Sequence, residues 1–186
     1  MRENILEIRK LIPQNFCEKV IAYYDSSFND AGVMDDSNPI KKNVRNCMTR
    51  TIIDDQSSFG KKLVCNYLKS TIFKACEVYK DKFPHFSWKK ISQMDLLKYE
   101  TNNFDAGYKY HVDMGYGVTQ RQLSISIALN NDYLGGEFMF DFGSQGEAQY
   151  PQNVGDCLMF PSNFMFPHQV NKVTKGTRYA IIAWVV

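Results

Sequence analysis

The sequence predicts a mainly β, α+β fold: a jelly roll with N-terminal helices packed on one sheet. Three observations carry this prediction. Apolar residues recur at helical spacing in the first half of the chain, and the period changes to two after residue 90. The alternating runs are short and are separated by clusters of Gly, Asn and Asp. Helices followed by several short strands argue for helices segregated to one face of an antiparallel β architecture.

The first helix is expected over residues 13–24, where Phe16, Val20, Ile21 and Tyr24 share a face and Pro13 suits the first turn. A second, longer helix is expected over 57–80. Its stripe is Val64, Leu68, Ile72, Ala75 and Tyr79, with Lys61, Lys62, Lys69 and Lys74 coating the solvent side. Residues 30–55 between them are polar and read as a long loop with one short strand, a length that suits a segment covering a site. Residues 101–107 are a second loop-like stretch. Beyond residue 90, Leu123, Ile125, Ile127 and Leu129 alternate with Gln122, Ser124, Ser126 and Ala128. Phe138, Phe140 and Phe142 alternate in the same way. Residues 157–160 are strand-like, and Arg178, Ala180, Ile182, Trp184 and Val186 share one face of a final strand.

The chain has 186 residues, enough for one sizeable core, and reads as a single domain over 1–186, helical to about 90 and β-rich from about 91. Hydrophobic residues make up 44% and charged residues 23%, a globular composition. The net charge is only +2, and the second half is acidic, with 6 basic against 9 acidic side chains in 91–186. That balance argues against a nucleic-acid partner. The opening MRENILEIRK carries charges where a secretory leader needs an apolar run, and residues 179–186 are far short of the ~20 residues of a membrane helix. A cytoplasmic protein with no membrane association is expected; the oligomeric state is not legible. The five cysteines never form CxxC and read as reduced core thiols.

Of only three histidines, two have suggestive surroundings. His111 and Asp113 are two apart, so an extended backbone places imidazole and carboxylate on one face. His168 follows the strand-like run and a Pro-Ser-Asn corner, and Arg178 comes ten residues later. Two His and one carboxylate from different strands make the facial triad of non-heme Fe(II) oxygenases. An Arg in the same barrel suits a dicarboxylate. His85, in Phe-Pro-His-Phe, is read as structural.

Several stretches occur in a familiar order. They are Tyr108-Lys-Tyr-His111-Val-Asp113, Arg121-Gln-Leu-Ser-Ile-Ser-Ile-Ala-Leu-Asn and Tyr133-Leu-Gly-Gly-Glu137-Phe, then Val154-Gly-Asp-Cys-Leu-Met-Phe-Pro-Ser162, His168-Gln-Val and Lys175-Gly-Thr-Arg178-Tyr. Over residues 96–186 the chain resembles the prolyl 4-hydroxylase-like 2-oxoglutarate- and Fe(II)-dependent dioxygenases, in particular small PKHD-type hydroxylases. The resemblance implies a double-stranded β-helix in which His111, Asp113 and His168 hold Fe(II). It implies that Arg178 binds the distal carboxylate of 2-oxoglutarate, and that Tyr99 helps hold it. Ser124 matches a small residue facing the co-substrate, and Trp184 matches an aromatic six residues after the Arg. The stretch between Tyr99 and His111 is longer than the family usually has, so Tyr108 or Tyr110 is an alternative to Tyr99. The implied reaction consumes O2 and 2-oxoglutarate, releases succinate and CO2, and uses ascorbate as reductant. The implied substrate is a prolyl residue in a peptide or protein. Alternatives are a lysyl residue, a free amino acid, a nucleobase or another small molecule. A catalytically silent jelly-roll binding module would not need Arg178 beside the triad, and a Zn(II) hydrolase using the triad would not need it at that offset.

Overall fold

The computed structural model describes residues 1–26, 28–33, 40–101, 106–115 and 117–186. Two helices lie where the periodicity places them. α1 (Gln14–Tyr24) follows Pro13 and buries Cys17, Val20 and Tyr24. α2 (Phe59–Lys82) is capped by Ser58, whose hydroxyl accepts the Lys61 N–H at 3.2 Å. The predicted α2 stripe is buried, joined by Cys65, Thr71 and Cys76. Of the four lysines expected to be solvated, Lys62 and Lys74 are exposed. Lys61 and Lys69 instead fold back onto Asp55 (3.9 Å) and Asp54 (2.7 Å).

The strands are β1 (Leu6–Ile8), β2 (Asn29–Asp30), β3 (Arg45–Asn46), β4 (Met48–Thr51), β5 (Ile91–Glu100), β6 (Ala106–His111), β7 (Leu123–Ala128), β8 (Leu134–Gly135), β9 (Phe138–Asp141), β10 (Glu147–Tyr150), β11 (Cys157–Pro161), β12 (His168–Lys175) and β13 (Thr177–Val185). They form two antiparallel sheets, the jelly roll the sequence predicts. The seven-stranded sheet runs β1-β11-β7-β13-β5-β4-β2. The six-stranded sheet runs β10-β9-β12-β6-β3, with β8 also on β12. The expected loop over 30–55 holds two short strands rather than one, β3 and β4, which find partners in β6 and β5, and β2 ends at its first residue. The second expected loop ends early: Ala106 and Gly107 already belong to β6. Residues 34–39 and 102–105 of those two stretches lie outside the described residues.

The large sheet is buried on both faces, which is why β7 and β13 read as almost uninterrupted burial. Ile125, Ile127, Ile181 and Ala183 pack beneath Leu68, Ile72 and Val20 of the helices. Leu97, Tyr99, Ile182 and Trp184 face the other sheet, meeting Phe138, Phe140 and Val170. The polar side of β7 therefore points into the interior: Ser124 and Ser126 are 0% and 2% exposed. All five cysteines are buried free thiols. Among the described residues no helix is long and apolar enough to cross a membrane.

Candidate metal and co-substrate site

Register builds the site. β13 pairs with β5 so that Arg178 lies opposite Tyr99, Ile182 opposite Asp95 and Trp184 opposite Gln93. On the other flank β7 sets Ser126 opposite Ile182 and Ser124 opposite Trp184. The facing wall is β6 and β12, where His111 pairs with His168. A register shift between Tyr108 and His111 turns both rings inward although they are three residues apart, and they stack at 3.5 Å.

His111, Asp113 and His168 are brought together, with ligand-capable atoms within 4.8 Å of one another. Each imidazole Nε2 lies 3.6 Å from an Asp113 oxygen, His111 from Oδ1 and His168 from Oδ2. His111 Nδ1 donates to the Lys109 carbonyl (2.9 Å) and His168 Nδ1 to the Phe166 carbonyl (3.0 Å). A carbonyl only accepts, so each Nδ1 carries a proton and each Nε2 is the nitrogen turned to the carboxylate. Burial would raise Asp113, but the two imidazoles and the Ser124 hydroxyl outweigh it and hold the carboxyl well below its usual range. Burial, aided by His111, pushes His168 down to about 4, which keeps its ring neutral. Two imidazoles and one carboxylate, with no other ligand-capable side chain in the cluster among the described residues, fit a divalent cation with open positions.

These residues line a cavity of about 520 Å³ that also reaches Arg178, Tyr99, Tyr108, Phe138 and Trp184. Arg178 is 2% exposed and lies over the Tyr99 ring at 5.2 Å. Among the described residues no carboxylate pairs with it, and its Nε has no partner. A buried guanidinium beside an open cavity is costly unless an anion joins it. Burial raises the Tyr99 hydroxyl far above its usual range, so it remains a donor. Gly136 explains part of the close packing here. Its φ is +69°, and a Cβ would sit 3.0 Å from Arg178 Cδ and 3.0 Å from Val173 Cγ2. Gly136→Ala is expected to strain the backbone beside Arg178 and lower stability by about 1 kcal/mol or more, read by urea denaturation.

Ser124 is the one expected co-substrate residue that stands elsewhere. It is not in the cavity wall. Its hydroxyl donates to Asp113 Oδ2 at 2.6 Å and is itself 2.8 Å from Ser162 Oγ. Tyr110 bonds Glu147 at 2.8 Å, away from the cavity, so of the two alternatives to Tyr99 only Tyr108 lines it. Ser162, Asp95 and Arg121 were not foreseen as site residues. Arg121 donates to the Asp113 carbonyl (3.1 Å) and to Gln93 Oε1 (2.9 Å), and lies 3.7 Å over the Trp184 ring. The available signal was period two: 93, 95, 97 and 99 share a strand face. Ser124→Ala is expected to free the carboxylate and weaken metal binding about 10–100-fold, measurable by competition with a fluorescent chelator.

A jelly roll with two His and one carboxylate at its open end defines a non-heme Fe(II) oxygenase class. A sequence model of the 2OG-Fe(II) oxygenase superfamily matches residues 94–186, half of the chain, and the chain belongs to that superfamily. It is 33% identical over 100 residues to a PKHD-type hydroxylase of Idiomarina loihiensis, covering 52% of this chain and 43% of that one. It is 30% identical over 103 residues to one from Rippkaea orientalis, covering 52% and 44%. The matched part spans less than half the length of these curated relatives. Among solved structures it resembles a Trichoplax adhaerens prolyl hydroxylase in complex with a hypoxia inducible factor peptide fragment. That match has TM-score 0.82 and 18% identity, and covers 98% of this chain and 83% of that one. It also resembles a Pseudomonas putida prolyl-4-hydroxylase, with TM-score 0.74 and 15% identity over 98% and 91%.

Proposed function

We propose that residues 1–186 act as one oxygenase domain that hydroxylates a prolyl residue of a peptide or protein. The observation that carries the reading is the buried, carboxylate-free Arg178 in the same cavity as the His–Asp–His cluster. In this reading His111, Asp113 and His168 hold Fe(II). Arg178 takes the distal carboxylate of 2-oxoglutarate, with the Tyr99 hydroxyl as an additional donor. Ser124 acts through Asp113, fixing one carboxylate oxygen so that the other is free for the metal. Trp184 and Phe138 wall the cavity and exclude water. Bound Fe(II) and 2-oxoglutarate supply the oxidising chemistry, in which O2 is consumed, succinate and CO2 are released, and one oxygen atom enters a substrate C–H bond. Ascorbate serves as the reductant that keeps the iron ferrous.

Support for a peptidyl prolyl substrate comes from the fold neighbours, one of which was solved with a peptide. Succinate release should rise when proline-containing peptides are added to the Fe(II)-loaded protein with 2-oxoglutarate, with a mass gain of one oxygen on proline. Stimulation by free amino acids or nucleic acid alone would overturn the substrate reading and leave the oxygenase chemistry standing.

A further inference from the structure

The reading above leaves one buried carboxylate in the cavity without a task. Asp95 lies in the middle of β5, lines the cavity and is 4% exposed. Gln93 Nε2 donates to its Oδ2 at 2.6 Å, while Oδ1 has no partner. Among the described residues no cation forms a direct ion pair with it: Arg121 acts on it only through space, its donors going to Gln93 and the Asp113 carbonyl and its face to the Trp184 ring. Beside it on β4, Thr51 is its register partner and Thr49 pairs one step inward with Leu97. Both threonines line the same cavity, and Thr49 Oγ1 is a further buried atom without a partner. Asp95 stands opposite Ile182, four residues along β13 from Arg178, or about 13 Å along the strand. The cavity thus has Arg178 at one end and, along β5 and β4, a wing of oxygen acceptors with two orphaned atoms, Asp95 Oδ1 and Thr49 Oγ1.

We propose that this wing is a substrate subsite for the primary ammonium of a lysyl side chain. An ammonium brings one charge and three donors, matching Asp95 Oδ1 and the two threonine hydroxyls. A guanidinium fits less well, because its fork seeks both carboxylate oxygens and Oδ2 is already held by Gln93. The inference rests on the oxygenase reading for where substrate lies, and on the orphaned oxygen of Asp95 for what it carries.

Calorimetry on the Zn(II)- and 2-oxoglutarate-loaded chain tests it with Nα-acetyl-lysine N-methylamide as probe. Saturable binding is expected, weakened at least about tenfold by Nε-acetylation of the probe and equally by Asp95→Asn. Thr49→Val should weaken it severalfold and serves if Asp95→Asn fails to fold. Absence of binding, equal binding of both probes, or wild-type affinity in the folded variants overturns the subsite. Peptides that pair one proline with either lysine or acetyl-lysine separate the two readings. Oxygen on lysine itself sinks the prolyl substrate and keeps the subsite. Equal turnover of the two forms sinks the subsite and keeps the prolyl substrate.

Discussion

Asp113→Ala is expected to abolish turnover and to lower metal affinity by more than about 100-fold, since loss of a mere outer partner already costs 10–100-fold. The argument is geometric. Both Nε2 atoms face this one carboxylate at 3.6 Å, so its removal leaves two imidazoles without the anion between them. Ser124 then loses its acceptor and remains a buried hydroxyl bonded only to Ser162. Metal content after dialysis, read by atomic emission, is the measurement. His85→Ala is the matched control: His85 is exposed and outside the cluster, so its variant should retain metal. Wild-type metal content in Asp113→Ala would remove the cluster from consideration.

Arg178→Ala is expected to raise the KM for 2-oxoglutarate by about 30-fold to several thousandfold. Truncating one partner of a buried charge pair costs about 2–5 kcal/mol, much of it the penalty of leaving the other charge unpaired. Arg178→Lys should be milder, because the charge survives while the bidentate fork is lost. An unchanged KM in both variants would show that the co-substrate is held elsewhere, Arg45 and Arg121 being the other arginines in the cavity lining. Metal content should stay at wild-type level in both, which separates this effect from the first.

The features that proved legible are those written in long, regular periods. The even separation of Arg178 and Trp184 assigns them to one face of β13, and α2 carries its stripe from Val64 to Tyr79, about four turns. His111, Asp113 and His168 could be singled out because so few histidines compete for the role. What escaped is tertiary in origin. β2 and β3 have two residues each and exist only because a neighbouring strand offers hydrogen bonds. The Tyr108–His111 stack depends on a register shift that no local pattern announces. Ser124 shows the limit most clearly. Its inward face follows from period two, but whether it meets co-substrate or a ligand carboxylate is decided by the loop that brings Asp113 beside it.

The buried cysteines bear on how the protein could be followed in solution. Burial pushes the Cys17 thiol up to about 11 and Cys76 up to about 12, and raises Cys47, Cys65 and Cys157 as well. Only the thiolate reacts quickly with alkylating agents or peroxide, so five shielded, protonated sulfurs make the native state chemically quiet. Unfolding would expose all five at once, with ordinary acidity. A brief pulse of iodoacetamide therefore works as a stopwatch: the fraction of chains carrying all five adducts would count molecules that have opened, without any engineered label. The same shielding protects the thiols from oxidants in solution, with resistance set by the rate at which the core opens.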